Sequence, residues 1–368
     1  MRRRMLSVCV AMLSLGLSTL SAADDDCRVG AVYTTSNAVA GNHVLVFNRG
    51  ADGALSPAGS VATGGQGTGA GLGNQGGLVL TDDGEWLLAV NAGSNSVSVF
   101  AVGDSGLRLT DVVSSRGLTP ISIATRRNLV YVLNAGSDTV AGFVITDRGR
   151  LLALPNSTQT LSGTNTGPAQ ASLSPNGRSL VVTEKNTNTI DVFEVGADGV
   201  IGPVMPHPSR GMTPFGFAFG RHRQLIVTEA FGGAANASAV TSYRLTSEGS
   251  LDLLDGSVGT KQTAACWVFV TQDGRLAYVT NTGSGSISGY TVGRDGTLTL
   301  LDDDGRTADT GAGSAPIDLA SSDDGRVLFS LQSGTHTILG FRIGHDGRLT
   351  PVGGVSGLPS SANGLAAR

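Results

Sequence analysis

Two glutamates end apolar segments in the same local context. Glu184 closes the segment LVVTE and Glu229 closes LIVTE. A carboxylate at the end of an apolar strand could act as a general base, bind a ligand, or simply reach water. If the two side chains lie close together, each would raise the pKa of the other, or both would share a cation. Lys185 directly follows Glu184 and could neutralise it instead. We take Glu229 and Glu184 as the candidate catalytic bases.

Five other apolar segments end in a polar residue at the matching place, nine residues before a recurrent aromatic residue once insertions in two segments are allowed for. These residues are Thr35, Asn91, Asn134, Asn281 and Gln332. If the segments are arranged around one axis, the seven residues would form a polar ring at one mouth of a channel and bind a ligand there. The alternative is structural, because polar side chains at strand ends accept hydrogen bonds from loop N–H groups.

Cationic candidates come from two similar loops. Arg116 lies in SSRGLTP and Arg210 in PSRGMTP, and His207 shortly precedes the second loop. Such side chains could bind a ligand or stabilise a developing oxyanion. The sequence has no His/Cys cluster with zinc spacing, and LDDDGR at residues 301–306 lacks the rest of a calcium loop. We therefore predict no metal and no cofactor.

The elements that would position these residues form an internal repeat. A short segment ending in an aromatic residue occurs seven times, at intervals of 43 to 53 residues. The aromatic residues are Phe47, Phe100, Phe143, Phe193, Tyr243, Tyr290 and Phe341. Each is followed by a glycine-containing turn, usually Asp-Gly, and a short apolar segment, and each is preceded by another apolar segment.

This pattern predicts an all-β fold. Four short antiparallel strands in each of seven units are typical of a seven-bladed β-propeller, in which stacked blades cover both faces of every sheet. A β-solenoid is the competing arrangement, but the Asp-Gly hairpins favour blades. The first unit lacks its inner strand, and ANGLAAR at residues 362–368 resembles the inner strands of other units. We predict that this C-terminal segment pairs into the first blade and closes the ring.

The predicted organisation is a signal peptide over residues 1–23 and one propeller domain over residues 24–368. The predicted blades are 29–62 together with 362–368, then 72–115, 118–161, 166–209, 212–259, 261–310 and 314–358.

Residues 1–23 have the basic start, apolar stretch and small residues of a secretion signal. The apolar stretch of about 16 residues is shorter than the roughly 20 that span a bilayer. We predict a secreted or periplasmic protein. Without this segment the chain has 22 basic and 29 acidic residues, which argues against binding to nucleic acid or an anionic membrane. Cys27 and Cys266 would remain, on opposite faces of the predicted propeller, so we expect no disulfide.

The repeated turns TDDGE, SPNGR and TQDGR, the strand ends VTE and VTN and the DGxL hairpins resemble the lactonase-type seven-bladed propeller family over about residues 28–368. This family includes 6-phosphogluconolactonases and carboxymuconate-lactonising enzymes. The resemblance implies hydrolysis of a small lactone, and it matches Pro214 and Glu229 to a proline and an acid of the family's functional segment. Phe215 and Gly216 stand where that segment has arginine and histidine. A second family segment, Pro-His-Ala-His, falls on residues 168–171 without either histidine.

Two hypotheses follow. In the first, the protein is an exported hydrolase or isomerase of a small cyclic ester, with Glu229 or Glu184 as the base and Arg210 or Arg116 at the oxyanion. In the second, it is a non-catalytic binding propeller whose upper loops hold a small-molecule or carbohydrate-like ligand, or a protein partner. Both describe a monomer that binds neither nucleic acid nor membrane.

Overall fold

The computed structural model describes residues 28–368, so the predictions for residues 1–23 and for Cys27 lie outside the described part. The described chain forms seven antiparallel sheets of four strands, one of which has an additional short strand. Successive sheets pack against each other as blades of a propeller, which confirms the predicted fold class. Among the described residues, no helix is long and apolar enough to cross a bilayer.

Each blade runs from an inner strand at the channel, through a second and a third strand, to an outer strand. Blade one consists of β29 (Asn363–Ala367), β1 (Arg28–Thr35), β2 (His43–Gly50) and β3 (Leu55–Ala62). Blade two consists of β4 (Leu78–Leu80), β5 (Trp86–Asn91), β6 (Ser96–Gly103) and β7 (Gly106–Ser114). Blade three consists of β8 (Pro120–Arg126), β9 (Leu129–Asn134), β10 (Thr139–Ile145) and β11 (Leu151–Thr160). Blade four consists of β12 (Pro168–Leu173), β13 (Ser179–Glu184), β14 (Thr189–Val195) and β15 (Ile201–Pro208).

The remaining blades follow the same order. Blade five consists of β16 (Pro214–Phe219), β17 (Gln224–Glu229), β18 (Ala239–Leu245) and β19 (Leu251–Gly259). Blade six consists of β20 (Ala265–Val270), β21 (Leu276–Asn281), β22 (Ser286–Val292), β23 (Leu298–Leu300) and β24 (Ala308–Asp309). Blade seven consists of β25 (Pro316–Ser321), β26 (Val327–Gln332), β27 (Thr337–Ile343) and β28 (Leu349–Ser356). Two 3-10 turns, Arg221–Arg223 and Phe231–Gly233, lie in blade five.

The C-terminal strand closes the ring as predicted. β29 pairs antiparallel with β1, with Thr34 opposite Leu365. The Thr34 hydroxyl donates to the Gly364 carbonyl at 2.7 Å, and Ala31 N donates to the Arg368 carbonyl at 3.2 Å. Blade one is therefore built from both ends of the described chain, and β29 covers the edge of β1 that would otherwise face the channel.

The Asp-Gly hairpins lock neighbouring blades together. Gly199 in the outer hairpin of blade four has φ 79°, and a Cβ atom there would lie 2.6 Å from Leu129 in blade three. Gly347 of blade seven has φ 86°, and its Cβ would lie 2.7 Å from Leu301 of blade six. A side chain at either place would meet both an unfavourable backbone conformation and the preceding blade. The repeated glycine thus serves the blade interface as well as the turn.

Blade six departs from the regular pattern. Its outer strand is divided into β23 and β24, and both pieces pair with β22. Between them Thr307 accepts a hydrogen bond from Gly289 N and donates to the Asp302 carboxylate at 2.7 Å. This side chain replaces the missing strand pairing at Gly289, so the interruption leaves that N–H with a partner.

Candidate functional site

All seven predicted rim residues end the second strands of their blades, on the side that we call the upper face. The rim residues are Thr35, Asn91, Asn134, Glu184, Glu229, Asn281 and Gln332. Their side chains are nevertheless buried, with no more than 3% of the surface exposed at any of them. They lie between neighbouring segments beneath the upper loops. A ligand in the channel could reach them only if those loops moved.

Glu229 has three hydrogen-bond donors within the protein. Gly211 N donates at 2.8 Å, the Thr241 hydroxyl at 2.5 Å and the Ser257 hydroxyl at 2.9 Å. Burial raises the pKa of the Glu229 carboxyl, and these donors together with Arg210 oppose that shift. The carboxylate therefore joins the loop before β16 to the outer strand of blade five.

Glu184 interacts with an acid that sequence reasoning missed. The Ser162 and Thr187 hydroxyls donate to Glu184 Oε2, at 2.8 and 2.5 Å. The neighbouring carboxyl is Asp191 on β14, also fully buried, rather than Glu229. Burial, followed by the contact with Glu184, raises the pKa of Asp191 to about 8. The signal was present in IDVF, where an acid occupies the place of a small or uncharged residue in the other repeats.

The amide and hydroxyl side chains of the rim also form hydrogen bonds that connect neighbouring segments. The Asn91 amide donates to the Ser98 hydroxyl at 2.8 Å, and its carbonyl accepts from Thr63 at 2.7 Å. Asn281 likewise donates to Ser288, at 2.8 Å. Thr35 donates to the Asn363 carbonyl at 2.6 Å, which connects the rim to the closing strand. These contacts correspond to the structural alternative considered for the strand ends.

Three amides of the rim, at Asn134, Asn281 and Gln332, keep one unpaired oxygen each among the described residues. Asn134 donates to the Ser115 carbonyl at 3.2 Å, and Gln332 donates to the Ser330 carbonyl at 3.2 Å. Among the described residues, Asn134 Oδ1, Asn281 Oδ1 and Gln332 Oε1 have no donor.

The predicted cations are spread over the molecule. Arg116 and Arg210 are exposed in upper-face loops of blades three and five. His207 is half-buried on β15, and its Nε2 lies 3.0 Å from the Gly249 carbonyl in the outer hairpin of blade five. His207 therefore takes part in the contact between two blades, away from the channel mouth.

The upper mouth of the channel is filled by the glycine-rich loop, residues 66–77, which we call the plug loop. Its residues contact the inner strands of several blades. Gln75 N donates to the Ala169 carbonyl at 3.0 Å, and the Gln75 amide donates to the Val268 carbonyl at 2.9 Å. The Trp267 indole donates to the Asn74 carbonyl at 2.6 Å. The loop therefore crosses the channel from blade two to blades four and six.

Lys185 fastens the plug loop from above. Its Nζ donates to the Gly73 carbonyl at 2.6 Å and to the Pro168 carbonyl at 3.0 Å, and it lies 4.8 Å from the centre of the Phe215 ring. Burial lowers the pKa of this amine to about 8. The nearby Cys266 thiol is buried and its pKa is raised to about 11 by that burial, which makes it a poor nucleophile.

Inside the channel, a polar side chain on one inner strand accepts from a backbone N–H of the next. The Ser122 hydroxyl accepts from Ala171 N at 3.1 Å, and Gln170 Oε1 accepts from Phe217 N at 2.6 Å. Asp318 Oδ2 accepts from Leu365 N at 3.1 Å. These inner strands contain bulges that leave N–H groups unpaired in the sheet, so the channel side chains complete the pairing.

Below the plug loop lies a chamber of about 240 Å³, which we call the channel chamber. Its polar lining includes Gln75, Thr125, Gln170, Ser172 and Asp318. Asp318 is buried and lies at a β-bulge with φ 53°. Burial raises the pKa of its carboxyl to about 7, against the two N–H groups that it accepts from Leu319 and Leu365. A carboxyl with this pKa can exchange a proton near neutral pH, as a general base must.

A larger groove of about 710 Å³ lies on the outside of blades three to five. Its lining mixes Arg126, Arg127 and Arg178 with Glu194 and Asp198. These exposed charges of both signs do not converge on one point, whereas the channel chamber combines burial with a carboxyl of shifted pKa. Among the described residues, no group of three or more His, Cys, Asp or Glu side chains could hold a metal ion.

Seven four-stranded blades around a polar channel define a seven-bladed β-propeller. The model of the family described as "Lactonase, 7-bladed beta-propeller" matches residues 40–162 and 230–362. The chain therefore belongs to this lactonase family of seven-bladed propellers. A comparison with curated protein sequences finds no match.

Solved structures of similar fold include a gluconolactonase and two candidate 6-phosphogluconolactonases. A candidate 6-phosphogluconolactonase from Bacteroides uniformis has a TM-score of 0.73 and 18% identity, covering 92% of this chain and 99% of that chain. A similar candidate from Bacteroides fragilis has a TM-score of 0.71 and 18% identity, covering 93% and 98%. The periplasmic gluconolactonase PpgL of Pseudomonas aeruginosa has a TM-score of 0.66 and 17% identity, covering 90% and 98%. At these identities the likeness shows the fold alone.

Proposed function

We propose that the protein is an exported hydrolase of a small lactone and that the channel chamber is its reaction site. The observation that carries this proposal is Asp318, a buried carboxyl with a pKa of about 7 that lines a polar chamber in the channel. Membership of the lactonase family supports the reaction class. The rim glutamates are weaker candidates, because neither belongs to the chamber lining and each already accepts three hydrogen bonds.

In this proposal Asp318 acts on water. Its carboxylate takes a proton from a water molecule, and the resulting hydroxide attacks the lactone carbonyl. The tetrahedral intermediate then collapses, the ring C–O bond breaks, and the Asp318 carboxyl returns the proton to the leaving alkoxide. The Gln170 amide, which uses its Oε1 to accept from Phe217 N, supplies a nitrogen donor for the negative oxygen.

The test is hydrolysis of glucono-1,5-lactone by the purified mature protein, followed by pH-stat. We expect Asp318→Asn to lower kcat/KM by about 100-fold or more, the usual range for loss of a general base. Asp323→Asn is the matched control, because Asp323 is an exposed acid just beyond the end of β25. Glu184→Gln and Glu229→Gln should keep most of the activity. Full activity in Asp318→Asn would refute the assignment.

The export part of the proposal is supported by the basic and apolar pattern of residues 1–23. The similar fold of a protein known as a periplasmic gluconolactonase agrees with it. Fractionation of cells that express the full chain, with N-terminal sequencing of the product, tests it. Full-length protein confined to the cytoplasm would contradict export.

A second candidate function is a non-catalytic binding propeller. It is favoured by the closed upper mouth together with exposed Arg116, Arg210, Leu118 and Met212 on the upper face, where Leu118 and Met212 are 54% and 56% exposed. Such a protein would bind a small ligand, a carbohydrate or a protein partner as a monomer. Failure to hydrolyse any lactone, combined with a thermal shift caused by a ligand, would favour this function.

A further inference from the structure

We infer that the channel chamber selects a lactone without charge and admits it from the face opposite the plug loop. This inference rests on the proposed lactonase function and adds the substrate class and the direction of access. It depends on two separate observations, the charge of the chamber lining and the position of the plug loop.

Among the described residues, one ionisable side chain lines the chamber, and that side chain is an acid. Asp318 lies among Gln75, Gln170, Thr125 and Ser172, with apolar residues around them, and no Lys, Arg or His belongs to the described lining. A phosphate or carboxylate on the substrate would stand near the Asp318 carboxylate with little water to screen the repulsion. Tight recognition of such an anion needs a cationic partner in a fixed place. The described lining of the chamber has no such cationic partner.

The lysine at the channel mouth does not supply it. Lys185 lies above the plug loop and donates to Gly73 and Pro168. Its ammonium group also lies over the Phe215 ring. Its hydrogen bonds to Gly73 and Pro168 hold the loop, and the loop separates the ammonium group from the chamber. The amides and hydroxyls that line the chamber suit the hydroxyl groups of an uncharged sugar lactone instead.

Access to the chamber follows from the gradient of burial along it. At its upper end Leu78, Gln170 and Asp318 are buried below the plug loop, whereas Leu80, Thr125 and Ser172 at its lower end are half-buried. These three lie near the ends of inner strands, beside the turns that lead to the second strands. A substrate therefore enters from the lower face, and the plug loop is the closed end of the chamber.

The charge selectivity is tested by comparing glucono-1,5-lactone with its 6-phosphorylated form. We expect kcat/KM to favour the uncharged lactone by about 100-fold, since like charges in a poorly hydrated site repel strongly. Ser172→Arg places a cation in the chamber wall and should narrow this ratio, whereas Arg116→Ser on the upper face should leave it unchanged. Equal or preferred turnover of the phosphorylated lactone would overturn the inference while leaving the lactonase function intact.

The direction of access is tested with two bulky substitutions. Thr125→Trp should obstruct the lower opening and lower kcat/KM at least tenfold, and Met212→Trp, at an exposed position on the upper face, should not. The reverse result would place the opening on the upper face. Melting curves must show both variants folded, and Thr125→Val serves as a conservative control for the loss of the hydroxyl.

A binding measurement separates this inference from the reaction itself. The δ-lactam analogue of the uncharged sugar, which resists hydrolysis, should raise the Tm of the wild type, and its 6-phosphate should not. If no lactone is hydrolysed but the lactam binds in this selective way, the proposed hydrolase function fails and the chamber selectivity stands. If the phosphorylated lactam binds better, the selectivity fails.

Discussion

A Cβ atom on Gly216 would lie 2.2 Å from Oε1 of Gln75, so the glutamine occupies the space that a side chain at position 216 would need. Gln75 also donates through Nε2 to the Val268 carbonyl at 2.9 Å, and its Oε1 accepts from Val268 N at 3.3 Å. In blades three, four and seven, the side chains of Ser122, Gln170 and Asp318 accept a hydrogen bond from a backbone N–H of the next inner strand. Blade five has glycine at this position, and Gln75 of the plug loop supplies the missing acceptor.

This relationship predicts non-additive effects in a double-mutant cycle. Gln75→Ala leaves Val268 N–H without its acceptor and should lower the free energy of unfolding by about 1–3 kcal/mol. Gly216→Ala forces a methyl group against Gln75 and, at 2.6 Å, against the Cys266 carbonyl, and should cost at least as much. In the double variant the contact with Gln75 is removed and the contact with the Cys266 carbonyl remains, so the total should be smaller than the sum of the single effects. Urea unfolding measures all three, and strict additivity would show that the residues do not share this space.

Lys185→Met should loosen the plug loop. The substitution keeps the aliphatic stem but removes the donors to Gly73 and Pro168. We expect faster hydrogen exchange across residues 66–77 and a stability loss of about 1–3 kcal/mol. Lys261→Met is the control, because the only other lysine of the chain contacts Asp303 in blade six. Unchanged exchange in the Lys185 variant would mean that the remaining contacts hold the loop alone.

The buried pair of Asp191 and Glu184 predicts that stability falls as pH rises from about 4 to about 8. The pKa of Asp191 is raised from 3.8 to about 8 on folding, so the folded protein keeps a proton that the unfolded chain loses in this window. Asp191→Asn removes the contribution of Asp191 to the pH dependence of stability. The contribution of Asp318, whose pKa is also raised, remains. The free energy of unfolding should therefore differ less between pH 5 and pH 8 in the variant than in the wild type. The same difference in both would contradict the raised pKa of Asp191.

The pKa of Asp318 predicts the pH dependence of hydrolysis. Only the ionised carboxylate can accept a proton from water, so kcat/KM should rise about tenfold per pH unit below about pH 7 and level off above it. The rate must be measured after subtraction of the spontaneous hydrolysis. Asp318→Asn should lose this profile along with the activity. A flat profile in an active wild type would exclude Asp318 as the base.

Closure of the ring predicts unequal effects at the two described ends of blade one. Leu365 on β29 is buried, and Leu365→Ala should cost about 2–5 kcal/mol, as for other buried leucines. Val29 on β1 is 53% exposed, and Val29→Ala should change stability by less than about 0.5 kcal/mol. Deletion of residues 363–368 should prevent cooperative folding, as judged by circular dichroism. A normally folded deletion variant would show that the ring does not need its closing strand.

Most of the architecture could be predicted because it is repeated. The period of the aromatic residues, the Asp-Gly hairpins and the resemblance of residues 362–368 to an inner strand depend on neighbours a few residues apart. The end of every second strand was also found at the predicted rim residue, from Thr35 to Gln332. Local patterns of this kind are set by strand pairing and turns, which act over short distances along the chain.

The site depended on contacts that no local pattern records. The sequence by itself determined the seven blades, the strand ends and the absence of the family's arginine and histidine at Phe215 and Gly216. Only the tertiary structure decided that Glu184 and Glu229 are buried, that Asp191 faces Glu184, and that a loop from blade two fills the channel. The physical reason is that burial and pKa depend on which side chains meet across the ring. Gln75 and Val268 meet there, although a large part of the chain separates them.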